Sequence, residues 1–170
     1  NKALELNPNN NYAYVGLGCL YENQGKSTES ERAFKKALEL NPKNDYIYVK
    51  FGWFYKDQGK FTESEQAFKK AIELNPKNDY AYLGLGQFYG NQGKSTEAEQ
   101  AFKKAMELNP KNDFAYVELS GLYRSQEKFT EAEQIFKKAL ELNPNSDRAI
   151  GGLATIYYEM GNNELSKVYA

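Results

Sequence analysis

All five prolines of this 170-residue chain lie 34 residues apart, at Pro8, Pro42, Pro76, Pro110 and Pro144. Their surroundings also repeat: Leu-Asn-Pro-Lys-Asn occurs three times, and the first and last copies begin Leu-Asn-Pro-Asn. A fixed period in this range is typical of repeat proteins, in which each unit buries its apolar face against its neighbours. The spacing therefore predicts a solenoid made from one helical unit repeated along the chain.

Each period has the pattern of two helices joined by a short turn. In the third copy, apolar residues recur with helical spacing over about 79–92, and Gly93 is suited to end that helix. Thr96 and Glu99 fit a capping box that starts a second helix, which should stop near Pro110. Such short connections make the two helices antiparallel. The same capping box is expected at Thr28/Glu31, Thr62/Glu65 and Thr130/Glu133.

These residues resemble the tetratricopeptide repeat family, whose 34-residue pattern is W-x₂-L-G-x₂-Y, then A-x₃-F, then P. The third copy matches it with Tyr82, Leu85, Gly86, Tyr89, Ala98, Phe102, Ala105 and Pro110. Tyr stands where the family most often has Trp. The resemblance implies an all-α fold, a right-handed superhelical solenoid of antiparallel helix pairs.

The period also predicts the repeat boundaries within one solenoid domain, residues 1–170. Residues 1–10 would be the tail of a preceding repeat, and 147–170 an incomplete fifth repeat. The four repeats between them are expected at 11–44, 45–78, 79–112 and 113–146. Both ends of the sequence are thus expected to fall within a helical hairpin of a longer array.

Two further expectations follow from the repeated slots. Phe34, Phe68 and Phe102 should fill the layers between helix pairs, and truncating one to Ala should cost about 3–5 kcal/mol. Glu127 holds the turn slot that is occupied elsewhere by Gly25, Gly59 and Gly93, so its turn should be slightly strained or differently closed.

The resemblance also implies that the first helices line a concave groove for a partner peptide or protein. One position of the groove is aromatic in four successive repeats, and we call these residues the aromatic ladder: Tyr12, Tyr46, Tyr80 and Phe114. The ladder could instead pack against the neighbouring repeat. Trp53 is expected to face the groove, because the residues at the equivalent position of the other repeats vary widely. The predicted groove residues are Tyr12, Val15, Cys19, Tyr46, Val49, Lys50, Trp53, Lys56, Tyr80, Leu83, Gln87, Phe114, Val117, Arg124 and Arg148.

Composition argues against several other classes of protein. The chain has no His and one Cys, so no catalytic constellation, metal site or cofactor is expected. A net charge of −1 argues against nucleic-acid binding. No apolar stretch is long enough for membrane insertion. We expect a cytoplasmic protein that is not an enzyme and has no small-molecule substrate.

Two functional hypotheses remain. In the first, aromatic side chains of the groove anchor a partner peptide or protein, while Lys50, Lys56 and Arg124 select acidic groups. In the second, the array is a structural spacer or self-assembly module of a larger protein, one that could carry a separate enzyme domain. Exposed terminal repeats would then form a homo-oligomer.

Overall fold

The computed structural model describes residues 7–169, which contain ten helices and no strand. The helices alternate between 13 and 14 residues until the last, which has six. Their bounds are α1 Asn11–Asn23, α2 Ser27–Leu40, α3 Asp45–Asp57, α4 Phe61–Leu74, α5 Asp79–Asn91, α6 Ser95–Leu108, α7 Asp113–Ser125, α8 Phe129–Leu142, α9 Asp147–Glu159 and α10 Asn163–Val168. The all-α prediction is confirmed.

The chain divides into two compact units, Asn1–Phe88 and Tyr89–Ala170, here called unit 1 and unit 2. In unit 1, α1 packs against α2, α3 packs against α4, and α1 also contacts α3. In unit 2, α7 packs against α8, α9 packs against α10, and α7 contacts α9. Within each unit, two first helices of successive hairpins therefore lie side by side.

The core of unit 1 is largely aromatic. Phe34, Phe51 and Phe54 lie within ring-centroid distances of 5.5–5.9 Å of one another. Val15 and Ile47 complete the same buried cluster. In unit 2 the corresponding cluster is built from Val117, Phe136, Leu153, Ile156 and Tyr157. Phe34, Phe68 and Phe102 are all buried, and Phe34 fills the layer between its own hairpin and the next, as predicted.

Phe68 is enclosed by glycines on two sides. A Cβ added to Gly52 would lie 2.8 Å from its ring, which explains why a small residue holds this predicted slot. A Cβ added to Gly84, on the following first helix, would lie only 2.3 Å away. The sequence analysis gave Gly84 no role in packing, so it did not predict this contact. The same slot holds Gly152, whose added Cβ would lie 2.3 Å from the ring of Phe136.

The turns inside the hairpins are closed by backbone hydrogen bonds around a residue with positive φ. In the first hairpin, Gly25 (φ 71°) donates to the carbonyl of Glu22 at 2.9 Å, and Lys26 donates to the carbonyl of Tyr21 at 2.8 Å. This pair of bonds is the Schellman arrangement, which satisfies the last carbonyls of a helix. Gly25, Gly59 and Gly93 are all used in this way, as the sequence predicted.

The predicted capping boxes are wrong. The residue before α2, α4, α6 and α8 is a lysine without a side-chain cap, and Thr28 lies inside α2. The reason is that Lys26 closes the preceding turn and also accepts the bond from the Ser30 amide at 3.0 Å. The helix therefore starts at Ser27, too early for Thr28 to cap it. Thr62, Thr96 and Thr130 lie at the same position inside their helices.

Glu127 adopts the glycine-like conformation, with φ 59°. Its amide donates to the carbonyl of Arg124 at 2.9 Å, and Lys128 donates to Tyr123 at 3.0 Å. The turn is thus closed as in the other copies, and the expected strain comes from a side chain in the left-handed region. The alternative, a differently closed turn, is wrong.

Candidate functional site

Four side chains of α3 share one face and open onto a cavity of about 330 Å³. Tyr46, Val49, Lys50 and Trp53 are spaced i, i+3, i+4 and i+7, which places them on one side of a helix. Asn78 and Tyr80, at the start of α5, complete the lining. We call this site, which lies within unit 1, the aromatic cavity.

The α5 wall of the aromatic cavity is held by a side-chain network. Asn78 caps α5, because its Oδ1 accepts a hydrogen bond from the amide of Ala81 at 3.0 Å. Its Nδ2 donates to Oδ2 of Asp45 at 2.7 Å, and Asn75 donates to the same oxygen at 2.7 Å. Asp45 is the first residue of α3. These bonds fix the distance between the starts of α3 and α5, where Tyr46 and Tyr80 stand.

Trp53 is half-buried, and two side chains contact its ring. Its indole meets Phe68 edge-on at 5.1 Å, and the ammonium of Lys56 lies 4.7 Å from its ring centroid. Lys56 also donates to Oε1 of Gln87 at 3.0 Å and lies 3.7 Å from Asp57. Trp53 therefore both lines the cavity and packs on the core. Lys56 and Gln87 engage each other.

The side chains of the aromatic ladder are exposed at about half of their surface. The ring centroids of Tyr12 and Tyr46 are 6.3 Å apart. These two side chains therefore are partly exposed and also pack against the ladder residue of the neighbouring repeat. Arg148 holds the equivalent slot in α9 and is exposed. The exposed fractions are 61% for Tyr12, 43% for Tyr46, 51% for Tyr80 and 52% for Phe114.

The apolar residues three positions after the aromatic ladder, which the sequence placed in the groove, are largely buried. Val15, Val49, Leu83 and Val117 are only 3–5% exposed. Val15 belongs to the buried cluster of unit 1, and Val117 belongs to that of unit 2. Val49 and Val117 still line cavities through their small exposed surface.

Charges of both signs lie near the aromatic cavity. The ammonium of Lys50 is 5.4 Å from the ring centroid of Tyr46. Burial raises the pKa of Glu22, and the carboxylate of Asp57 raises it further, while Lys50 lowers it. Burial also raises the pKa of the Cys19 thiol, against an opposing effect of Lys50. A raised pKa leaves little thiolate at neutral pH, which agrees with an inert cysteine.

The remaining predicted residues lie in unit 2 around a second cavity of about 250 Å³, which we call the arginine notch. Arg124, near the end of α7, and Arg148, near the start of α9, both line it. Arg148 donates to Oε1 of Glu118 at 2.5 Å. The notch is also lined by Val117, Gly121, Phe136, Gly151, Gly152 and Thr155.

Sequence reasoning missed Asn78 in the aromatic cavity and the glycines in the arginine notch. Asn78 could have been found, because Asn directly before an apolar periodic segment is a helix N-cap signal. Gly121 and Gly151 carry no such signal: Gly121 stands at a slot that varies between repeats, and Gly151 replaces the Val or Leu that the four earlier repeats have.

Two other kinds of feature are missing from the part of the chain that the structure describes. Among residues 7–169, no group of His, Cys, Asp and Glu side chains could hold a metal ion. None of the described helices combines the length and apolar character needed to cross a membrane.

Comparison with known families and structures identifies the repeat. Models described as tetratricopeptide repeat match residues 12–44, 80–112, 33–66 and 123–167, and one described as TPR repeat matches 52–93. A comparison with curated proteins gives no match.

Three solved structures share the fold. PilF of Pseudomonas aeruginosa has a TM-score of 0.81 at 19% identity, over 99% of this chain and 77% of PilF. MamA has a TM-score of 0.73 at 25% identity, over 94% of this chain and 87% of MamA. YrrB, described as a TPR protein with an unusual peptide-binding site, has 0.66 at 21%, over 99% and 87%. The chain belongs to the tetratricopeptide repeat family, whose fold is generally a non-catalytic scaffold for protein interactions.

Proposed function

We propose that this chain binds an extended segment of a partner protein along the first helices of unit 1, with an apolar side chain of that segment in the aromatic cavity. The observation that carries the proposal is the convergence of Tyr46, Trp53 and Tyr80 on one cavity. Aromatic side chains at a concave site are the usual anchors of protein interfaces, because they bury large areas at low entropic cost.

The size of the cavity favours a side chain over a free ligand. Its volume of about 330 Å³ is at the lower end of the range for small-molecule pockets, about 300–1,000 Å³. A single large side chain, anchored by the backbone on either side of it, fits such a volume. The peptide-binding site of YrrB supports a segment of chain as the ligand class, since that protein shares the fold.

Lys50 gives the site its charge preference. Its ammonium stands over Tyr46, and it forms no salt bridge or side-chain hydrogen bond with another described residue, while its charge lowers the pKa of Glu22 from a longer distance. Lys56, in contrast, is occupied by Gln87 and Trp53. The preferred segment therefore carries an apolar anchor next to an acidic residue, which would pair with Lys50.

A random 12-residue peptide library displayed on phage tests this function, because it offers many candidate segments to the site at once. Selection on the full chain should enrich peptides with Leu, Phe or Trp beside Asp or Glu. The variant Tyr46→Ala/Tyr80→Ala should lose the enrichment. Tyr158→Ala, which removes an equally large exposed ring from α9, should keep it. Equal enrichment on all three proteins would contradict the assignment of the site.

Self-assembly is a second candidate function, supported by a different observation. The last two helices of unit 2 and the turn between them expose large apolar side chains, with Tyr158 at 68% and Val168 at 73%, together with Met160 and Leu165. Exposed apolar patches favour protein association. Sedimentation velocity over a hundredfold concentration range tests this candidate: the sedimentation coefficient should rise with concentration, and less so for Tyr158→Ser/Val168→Ser. A constant monomer value would contradict it.

A further inference from the structure

We propose that the arginine notch of unit 2 is a second recognition site, which binds the side-chain carboxylate of an acidic residue in a partner segment. The site is independent of the aromatic cavity, because all of its lining residues belong to α7, α8 and α9. It adds a defined chemical class, a single carboxylate, to the apolar anchor proposed for unit 1.

The guanidinium groups carry the proposal. Arg124 lines the notch, is half-buried, and forms no ion pair or side-chain hydrogen bond with any described residue. An unpaired guanidinium that has already lost part of its water is a favourable partner for an incoming anion. Arg148 lines the same notch and donates one hydrogen bond to Glu118. The other N–H groups of its guanidinium remain available to a ligand.

The glycines provide the space. A Cβ built at Gly121 or at Gly151 would meet no other atom within 4 Å, so both positions face open volume. Gly152 lies against the ring of Phe136, and both residues line the notch. A larger residue at either open position would occupy the volume beside the two guanidinium groups.

The charge of the notch favours a carboxylate over a phosphate group. Arg124, Arg148 and Glu118 sum to one positive charge, which a single carboxylate neutralises, whereas a phosphate group carries about −1.5 to −2. The notch also favours a side-chain carboxylate over a chain terminus. One recurring way to capture a terminal carboxylate uses free backbone amides. Gly121, Gly151 and Gly152 are inside helices, where the amides are committed to helical hydrogen bonds.

Titration of the ¹⁵N-labelled full chain by NMR tests the site, since the amides of the three glycines report on it directly. The probe is the pentapeptide acetyl-Ala-Glu-Leu-Glu-Ala-amide, and its matched control has Gln in place of Glu. The Glu peptide should give saturable shifts at Gly121, Gly151 and Gly152, and the Gln peptide should not. Arg124→Gln should weaken the binding by about tenfold, as expected for loss of a charged hydrogen bond.

Control variants separate the site from net charge and from the aromatic cavity. Lys111→Gln removes one positive charge from an exposed residue of unit 2 and should leave binding of the Glu peptide unchanged. Tyr46→Ala/Tyr80→Ala should also leave the three glycine shifts unchanged. Arg124→Lys should lie between wild type and Arg124→Gln, because lysine keeps the charge but loses the planar fork.

Three outcomes would overturn the proposal. One is equal affinity of the Glu peptide for wild type and Arg124→Gln. Another is equal binding of the Gln peptide. The third is tighter binding of either inorganic phosphate or tri-alanine with a free carboxyl terminus, which would assign the notch to a different anion.

Discussion

Asn78 and Asp45 join two successive first helices through a hydrogen bond of 2.7 Å between Nδ2 and Oδ2. The same Asn78 caps its own helix through Oδ1, so one side chain both starts α5 and ties it to α3. Since Tyr46 follows Asp45 and Tyr80 lies two residues after Asn78, this bond positions both tyrosines of the aromatic cavity.

Asn78→Ala should destabilise unit 1 by about 2–3 kcal/mol, because it removes a helix cap and a hydrogen bond to a carboxylate. Asn10→Ala is the matched control: Asn10 caps α1 through Ala13 and makes no other side-chain bond to a described residue. Its loss should cost about 1 kcal/mol. Urea unfolding followed by circular dichroism measures both. Equal losses in the two variants would show that the bond to Asp45 contributes nothing.

Gly84→Ala should destabilise the chain by about 1–3 kcal/mol, because its Cβ would overlap the ring of Phe68. Gly121→Ala is the control, also inside a first helix but facing open space. It should stabilise the chain by about 0.5–1 kcal/mol through helix propensity. Thermal and urea unfolding distinguish the two signs. A stabilised Gly84→Ala variant would contradict the close packing of α5 on Phe68.

Glu127→Gly should stabilise unit 2 by up to about 1 kcal/mol, because glycine adopts φ 59° without the strain that a side chain causes. The gain is limited by the greater entropy of glycine in the unfolded chain. The reciprocal change Gly93→Glu, at φ 72°, should destabilise by about 1 kcal/mol. If both variants shift the urea midpoint in the same direction, the strain is not at this residue.

Stability should fall in acid, below about pH 4.5. Hydrogen bonds from lysine lower the pKa of Glu31, Glu99 and Glu133 from the ordinary value of 4.5, with Lys35, Lys103 and Lys137 as the largest causes. The unfolded chain therefore takes up protons first, and the free energy of unfolding falls as the pH drops through the lowered values. Each contribution should stay below about 1 kcal/mol, because Lys35 is 59% exposed and screened by solvent.

A triple variant with Gln at these three glutamates tests the acid dependence. It should unfold at lower urea than wild type at pH 7, and its midpoint should vary less between pH 4.5 and pH 3. Glu22 acts in the opposite direction, since burial raises its pKa and its protonation in acid favours the folded state. An unchanged acid slope in the triple variant would rule out these pairs as its cause.

The 34-residue period predicted the parts of the structure that every repeat shares. Phe34, Phe68 and Phe102 are core residues, and Gly25 closes its turn as expected, because the same kind of residue recurs at these positions of the period. The lysines before α2, α4, α6 and α8 were missed, since no side chain caps these helices and the backbone of the preceding turn makes the first hydrogen bonds instead. The exposure of Tyr80 and the burial of Leu83 depend on contacts between hairpins, which a pattern within one repeat does not contain.

Titration of a library-selected peptide into the full chain, followed by the fluorescence of Trp53, tests the central claim most directly. Trp53 is the single tryptophan and lines the aromatic cavity, so its emission reports on that site alone. We predict saturable binding to wild type and to Tyr158→Ala with the same Kd, and a Kd at least about tenfold higher for Tyr46→Ala/Tyr80→Ala, as expected for loss of two interface anchors. Unchanged affinity in the double variant would contradict binding at the aromatic cavity.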